Sequence, residues 1–570
     1  MTGRPEAATE AATEAATAVA EQVTPDGAAP GEPFAVTLEV GSSLANHTGS
    51  WRVERPVYVH RLPPCNDACP AGEDAQGWLY RAEEGDYEGA WRHLVEENPF
   101  PAVMGRVCYR PCETACNRGE LDEAVGINAV ERFLGDEALR RGWRLPDPAE
   151  PSGRHVLVIG GGPAGLSAAY HLRRAGHQVT LREAQGALGG MMRYGIPLYR
   201  LPRDVLDDEV QRLVELGIEV ELHHRVNDLA AELDERSFDA TFLAVGAQLA
   251  KRAYVPAGDS ARVLDALSLL SGAEQGTPPV LGRRVAVYGG GDTAIDAART
   301  ARRLGVTEPV VVYRRTRDRM PAHDVEVGEA VEEGIRLRWL STVAGFEGGE
   351  LVLEEMVLDE DGLPQPTGRT ERLEADALVL ALGEEADLSL LASLPDVEVR
   401  DDTVVVGSGA QTTHPGIFAG GDAVAGDRTV TTAVGHGKHA AGQIGAWLAG
   451  RDLVLPARHE LATFDHLNTW YYADAPKQER PRLEAARRTS GFSEVVFGLA
   501  EDNALFEARR CLSCGNCFEC DNCFGVCPDN AVAKLGPGNG YAFDLDYCKG
   551  CGICAAECPC GAIAMEPERR

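Results

Sequence analysis

The sequence predicts an α/β chain in which two doubly wound, Rossmann-like units are nested one inside the other. An α-helical N-terminal domain and a small α+β C-terminal module flank them. Three observations predict this. Residues 154–250 and a second stretch from near Arg283 to near Ala377 each read as strand, glycine turn, helix and strand. After Ala377 the text resumes features of the first unit, so one unit is inserted in the other. The 16 cysteines fall only near the two ends: five between Cys65 and Cys116, eleven between Cys511 and Cys560, none in 117–510.

Length and charge bound the function before any motif does. A chain of 570 residues allows about three to five domains. The 55 Lys+Arg stand against 88 Asp+Glu, a net charge of −33, with a pI near 4.8. Such a chain repels phosphate backbones and anionic lipid, which argues against nucleic acid or membrane as main partner. No stretch approaches the roughly 18 apolar residues of a membrane span. The acidic N-terminus has no apolar core to make it a signal peptide. A cytoplasmic protein is expected.

The domains follow in order. Residues 1–33 carry the repeat EAATEAATEAAT, which has no large apolar residue to bury, and are expected to form a disordered tail. Residues 34–150 form the N-terminal helical domain. Within it Trp78, Leu79, Ala82, Ala90, Trp91 and Leu94 recur at helical spacing, with Gly85 as a break between two helices. Residues 151–281 and 383–457 form the outer dinucleotide domain, 282–382 the inserted one, 458–510 a polar helical connector, and 511–570 the cysteine-dense module.

The first fingerprint is HVLVIGGGPAGLSAAYHLRRAGHQVTLREA. Gly160, Gly162 and Gly165 hold the GxGxxG positions, with Pro163 and Ala164 between them. The first glycine permits the turn, the second lets a pyrophosphate approach, and the third lets helix and strand pack closely. Glu183, 23 residues past Gly160, ends the second strand where a carboxylate can accept from a ribose. A distant segment, GIFAGGDAV, ends a strand with Gly420, Gly421 and Asp422, and a helix with Thr431, Thr432 and Ala433 at its start follows. The positive end of that helix favours the charge that develops on a reduced flavin. The first site is therefore expected to take FAD.

In the second fingerprint, RRVAVYGGGDTAIDAARTARRLG, Gly289, Gly291 and Ala294 hold the motif, with Asp292 and Thr293 between. Its second strand ends in Tyr313, Arg314 and Arg315, where the first had a carboxylate. Paired guanidiniums bind a 2′-phosphate that an acid would repel, so NADPH is expected, with NADH as the alternative. Hydride passing between stacked rings needs no general acid or base, so no catalytic residue is assigned. His171, His323 and His436 are read as surface or packing residues. A flavin disulfide reductase is excluded, because no cysteine pair lies beside the flavin.

The cysteine spacings are the most specific text. Cys517, Cys520, Cys523 and Cys527-Pro528 make C-x2-C-x2-C-x3-C-P, and Cys548, Cys551, Cys554 and Cys558-Pro559 repeat it. This is the two-cluster ferredoxin pattern, in which the fourth cysteine of each run ligates the other cluster. One 4Fe–4S cluster is then held by Cys517, Cys520, Cys523 and Cys558, the other by Cys548, Cys551, Cys554 and Cys527. Cys511, Cys514 and Cys560 are either spare ligands or small buried residues. At the other end, Cys65 and Cys69, then Cys108, Cys112 and Cys116, suffice for one further cluster.

Residues from about 55 to 450 resemble the small (beta) subunit of NADPH-dependent glutamate synthase, through CNDACP, GRVCYRPCETAC, VIGGGPAGLSAAYHL, GGMMRYGIPLYRLP, GGGDTAIDAAR, YRRTRDRMPA and GIFAGGDAV. Similar modules occur in dihydropyrimidine dehydrogenase and NADH-dependent ferredoxin:NADP oxidoreductases. The resemblance implies FAD at the first site with Gly189–Pro197, including Gly190 and Met191, under its ring. It implies NADPH at the second site, and N-terminal clusters that carry electrons from the flavin. Relatives have a C-x2-C-x4-C-x3-C run whose first two cysteines are absent here. One N-terminal cluster is then implied, on Cys69, Cys108 and Cys112 with Cys116 or Glu131 as fourth ligand and Cys65 left over. The appended ferredoxin module resembles instead the flavoprotein subunits of 2-oxoacid:ferredoxin oxidoreductases.

The expected function is an FAD and iron–sulfur subunit of a hetero-oligomer, moving electrons between NADPH and a partner subunit or ferredoxin. Two alternatives stand beside it: a glutamate synthase small subunit serving a separate large chain, and a non-catalytic wiring or scaffold subunit.

Overall fold

The computed structural model describes residues 47–568, apart from 236, 252–254, 258–261 and 455–456. The expected tail over 1–33 lies outside the described residues.

The apolar run of the first fingerprint becomes the strand His155–Ile159, buried at four of its five positions. It can be apolar throughout because it runs through the middle of a parallel sheet with both faces covered. The sheet order is Ile417–Ala419, Ala240–Leu243, His155–Ile159, Gln178–Arg182, Glu219–Glu221, with every pair parallel. The chain leaves this sheet after Glu219–Glu221 and Ala240–Leu243 and returns to it at Ile417–Ala419, so the second unit is an insertion, as its sequence implies.

The inserted sheet is also five-stranded and parallel: Arg336–Arg338, Glu308–Val312, Arg284–Tyr288, Ala377–Leu380, Val263–Asp265. Its edge strand Val263–Asp265 lies upstream of the boundary expected at residue 282. A three-residue edge strand has no periodicity to announce it. An antiparallel sheet of Ser341–Glu347, Glu350–Leu358 and Pro364–Glu374 packs Val343, Phe346, Leu351 and Leu353 against Ala286, Val310 and Val312 of the parallel sheet.

The N-terminal helices form where expected, over Ala75–Glu83 and Tyr87–Leu94. The Asp74 and Asp86 side chains cap them by accepting from Gly77 N and Gly89 N. Gly85 breaks them at φ 82°. Trp78, Leu79, Ala82, Ala90, Trp91 and Leu94 are all at most 1% exposed. They share one continuous core with Tyr170 and Ile444 of the outer dinucleotide domain, so the two domains are not independent bodies.

Two expectations about the ends are revised. The connector over 458–510 is mostly irregular, with short α-helices at Ala485–Arg488 and Glu501–Ala508 and single 3-10 turns at Phe464–His466 and Thr469–Tyr471. Pro476 and Pro481 remove backbone donors there. The N-terminal segment also reaches the far end of the chain: Glu54–Tyr58 pairs antiparallel with Ile563–Pro567, Glu54 opposite Pro567 and Tyr58 opposite Ile563. Among the described residues no helix is long and apolar enough to cross a membrane.

Candidate functional site

A cavity of about 640 Å³ lies where the two dinucleotide domains and the N-terminal domain meet. Gly160, Gly162, Pro163, Ala164, Glu183, Gly190, Met191, Asp292, Thr293, Asp422 and Ala433, all singled out from the sequence, line it together. Gly165 lies beneath the turn instead: a Cβ there would stand 1.9 Å from Gly160 O. That distance is the close helix–strand approach the third glycine of the motif provides.

The helices facing this region suit phosphate. Helices Pro163–Arg174 and Asp292–Arg303 start after Gly162 and Gly291, which supply no side-chain cap. Their first backbone N–H groups are therefore left for an anion, and the helix dipole favours one. Helix Val430–Leu448 is capped instead by Thr429, which accepts from Thr432 N at 3.1 Å. Thr432 thus sits in the cap, while Ala433 faces the cavity. The residues present fit two dinucleotides.

Side-chain charges are placed with equal economy. Glu183 is 5% exposed and accepts from Gly161 N and Gln185 N, each at 2.7 Å, so it holds the glycine turn as well as facing the cavity. Burial raises the pKa of Asp422, with Arg428 acting against it. Burial likewise raises Glu384, against a hydrogen bond from Thr293. His436 is held neutral by burial, and its Nδ1 accepts from Gly421 N at 3.2 Å, a packing role as expected. Burial pushes His171 down to about 3.

Arg314 and Arg315 follow strand Glu308–Val312 after one residue, Tyr313. Tyr313 between them and the strand packs under the second turn, where a Cβ on Gly290 would meet its ring at 2.2 Å. Gly289 N donates to Val312 O at 3.1 Å. The two guanidiniums therefore flank the second fingerprint, and among the described residues neither has an ion-pair partner.

Sequence reasoning missed several lining residues. Tyr109 and His323 stack at 3.4 Å and 3°, joining the N-terminal and inserted domains at the cavity, and His323 Nδ1 is 2.9 Å from Asp292. Arg200 donates to Asp296 at 2.7 Å and pairs with Glu326 at 3.0 Å. No local spacing links residues so far apart in the chain.

The cysteines converge in groups. Cys108 lies between Val107 and Tyr109, both of which line the cavity. Its Sγ accepts from Thr431 Oγ1 at 3.2 Å and Arg110 N at 3.3 Å. Cys69 and Cys112 neighbour it. Facing Cys108 is Glu131, 5% exposed, whose carboxylate accepts from Asn98 at 3.0 Å and Asn128 at 3.3 Å. Burial raises Glu131 well above the usual carboxylate range. Cys116 does not join this set. It lines a different cavity with Cys65, Cys511 and Cys514, because helix Pro111–Thr114 carries Cys112 while Cys116 follows its end.

In the C-terminal module Cys527, Cys548, Cys551 and Cys554 line one small cavity, and Cys517, Cys520 and Cys523 lie near Cys558. This is the crossed grouping expected of the doubled motif. Backbone N–H groups point at the sulfurs: Ala531 N to Cys527 at 3.2 Å and Ala562 N to Cys558 at 3.3 Å. Among the described residues all sixteen cysteines are free, and no group of His, Cys, Asp and Glu is drawn close enough to hold one metal ion. A cubane spreads its ligands over four irons, so it needs a wider quartet than a single ion does.

A two-dinucleotide cavity with a thiol, Cys108, between two of its lining residues, in a chain that also carries a ferredoxin-type module, is the arrangement of a flavoprotein electron-transfer chain. Comparison with known proteins agrees. Residues 154–437 match the pyridine nucleotide-disulphide oxidoreductase family, 50–143 the dihydropyrimidine dehydrogenase domain II 4Fe-4S cluster family, and 541–564 the 4Fe-4S binding domain. The NADP(+)-dependent formate dehydrogenase subunit beta of Moorella thermoacetica is 34% identical over 79% of this chain and 70% of its own. The NADPH-Fe(3+) oxidoreductase subunit beta of Geobacter sulfurreducens is 31% identical over 83% and 78%. The glutamate synthase [NADPH] small chain of Escherichia coli is 33% identical over 68% and 89%.

The chain belongs to the glutamate synthase small-chain-like family of FAD-dependent NAD(P)H oxidoreductases, here with 4Fe–4S domains at both ends. The span 154–437 that matches the pyridine nucleotide-disulphide oxidoreductase family contains no cysteine.

Proposed function

We propose that this chain draws electrons from NADPH through FAD into its N-terminal cluster and on through the C-terminal module to a partner subunit or ferredoxin, reversibly. The observation that carries the proposal is the position of Cys108: flanked by cavity-lining Val107 and Tyr109, its sulfur hydrogen-bonded to Thr431, two residues before cavity-lining Ala433. FAD, when bound, accepts a hydride and releases the electrons one at a time.

The chain's own residues do the rest. Gly160, Gly162 and the first turn after them cradle the flavin pyrophosphate; Glu183 takes its ribose and Asp422 its ribityl–phosphate region. Gly190 and Met191 lie under its ring, and the helix start at Thr432 and Ala433 faces its pyrimidine end. Gly289, Gly291, Asp292 and Thr293 hold the nicotinamide dinucleotide, and Arg314 and Arg315 grip its 2′-phosphate. Cys69, Cys108 and Cys112 hold the first cluster, with buried Glu131 as fourth ligand. Cys517, Cys520, Cys523 and Cys558 hold one C-terminal cluster, and Cys548, Cys551, Cys554 and Cys527 the other. Relatives named subunit beta and small chain support a partner in a hetero-oligomer.

The test is anaerobic stopped-flow absorbance of the reconstituted chain. NADPH is expected to bleach the flavin fast and NADH slowly, with cluster reduction following in the same trace. No bleaching by either would overturn the proposal and favour the wiring-subunit reading.

A further inference from the structure

We propose that Cys65, Cys116, Cys511 and Cys514 form a fourth 4Fe–4S site, built from both ends of the chain, that joins the N-terminal cluster to the C-terminal module. It extends the reading above, since it supplies the step between clusters that the reading leaves open.

The four thiols line one cavity with Pro63, Gln76, Asn117 and Arg118. The cavity is about 20 Å³, the same size as the one lined by Cys527, Cys548, Cys551 and Cys554 of the ferredoxin motif.

The backbone of the new pair repeats the ferredoxin ligand loops. In Cys548-x2-Cys551 the second intervening residue, Gly550, has φ 72°, and the residue after the pair, Gly552, has φ 77°. In Cys517-x2-Cys520 the same places are Glu519 at 59° and Asp521 at 67°. In Cys511-x2-Cys514 they are Ser513 at 49° and Gly515 at 77°. Left-handed conformation is costly for serine and glutamate and is kept where surroundings enforce it. Ser513 N, in this strained turn, points at Cys511 Sγ at 3.5 Å, as Ala531 N points at Cys527 and Ala562 N at Cys558.

Buried side chains hold the two halves in register. Arg118, two residues past Cys116, donates to Arg510 O at 2.7 Å, immediately before Cys511. Arg510, 2% exposed, donates to Glu123 O at 2.6 Å and Ala475 O at 3.0 Å and pairs with Glu507 at 2.6 Å. Gln76 donates to Cys514 O at 3.0 Å. Arg61 N donates to Gly515 O at 3.2 Å, and a Cβ on Gly515 would stand 2.5 Å from the Arg61 side chain. The loop is thus seated against the segment that carries Cys65.

The arrangement also makes a continuous relay. Cys65 lies in the short helix Pro64–Ala68 and Cys69 caps its end, yet Cys69 lies near Cys108 and Cys65 lines the new site. Cys112 and Cys116 divide the same way, and Cys514 and Cys517 divide between the new site and the C-terminal module. Residues only three or four apart in the chain thus feed different quartets, so each neighbouring pair of sites is linked by a few residues of chain. Each electron enters from one cluster and leaves to the next, with no other reactant.

The experiment is iron, acid-labile sulfide and zinc analysis of the full-length chain after anaerobic reconstitution, beside the Cys511→Ser/Cys514→Ser variant. Four cubanes carry about sixteen irons, three about twelve. The proposal expects about sixteen in the parent chain and a fall of about four in the variant at unchanged FAD content. About twelve irons in the parent, twelve irons with one zinc, or a folded variant that keeps sixteen each overturns it. If the variant loses FAD or precipitates, the parent's count decides alone. Flavin bleaching by NADPH is read separately, so failure of the electron-transfer reading leaves the metal count standing.

Discussion

At the residue scale, the proposed preference for NADPH rests on Arg314 and Arg315, which have no ion-pair partner among the described residues. Charge-assisted hydrogen bonds contribute about 1.5–3 kcal/mol each. The Arg314→Ala/Arg315→Ala variant is therefore expected to raise the KM for NADPH at least tenfold while leaving that for NADH nearly unchanged, measured as initial rates of flavin reduction. A second residue, Glu209, contributes to the pH dependence of stability. Glu209 is 1% exposed and accepts from Ala102 N and Val103 N, each at 2.9 Å, yet burial pushes its pKa up to about 7. With the folded value above the unfolded one, the folded chain binds more protons in between. Its contribution to stability is fully present below about pH 4.5 and is lost as pH rises toward 7, on the order of 3 kcal/mol. Glu209→Gln removes that titration, so the variant's thermal midpoint should gain on the parent's between pH 5 and 8. Parallel midpoints across that range would show that Glu209 does not titrate there.

At the element scale, the cavity depends on the crossing of helices Pro163–Arg174 and Val430–Leu448. They meet at Gly437, where a Cβ would stand 2.2 Å from Ala164 O and 2.8 Å from Ala168 N. Ser167 Oγ donates to Val434 O at 2.8 Å across the same crossing. One helix brings the first fingerprint to the cavity and the other brings Ala433, so separating them opens the site. Gly437→Leu is expected to cost about 1–3 kcal/mol by overpacking and to lower FAD retention through desalting. Full retention with an unchanged melting curve would mean the crossing has slack. The fingerprint helices themselves were legible from the sequence, because strand, turn and helix are adjacent in the chain. The partner helix was legible as a helix, but not its crossing with the first.

At the scale of the whole molecule, the C-terminal module is completed by the opposite end of the chain. Glu54–Tyr58 adds a strand to it, Tyr58 stacks on Phe543 at 5.0 Å, and its hydroxyl lies 3.3 Å from Cys523 Sγ. Deletion through Tyr58 is expected to lower iron content while FAD stays bound, read from the iron-to-flavin ratio of the purified protein. An unchanged ratio would make the added strand dispensable.

The sequence by itself determined the two nucleotide folds, their nesting, both fingerprints and the ferredoxin ligand runs. Each of these is written in residues close together, where spacing maps directly onto turn and helix geometry. The tertiary structure decided what spacing cannot: that buried Glu131 lies near Cys108 while Cys116 lines another cavity; that Tyr109 meets His323; that the connector is a strap rather than a helix. It also decided that Cys65 and Cys116, near one end of the chain, share a cavity with Cys511 and Cys514 near the other. Pairings between distant segments are set by packing of the shared core and by buried arginines bound to backbone carbonyls, and no local pattern encodes them.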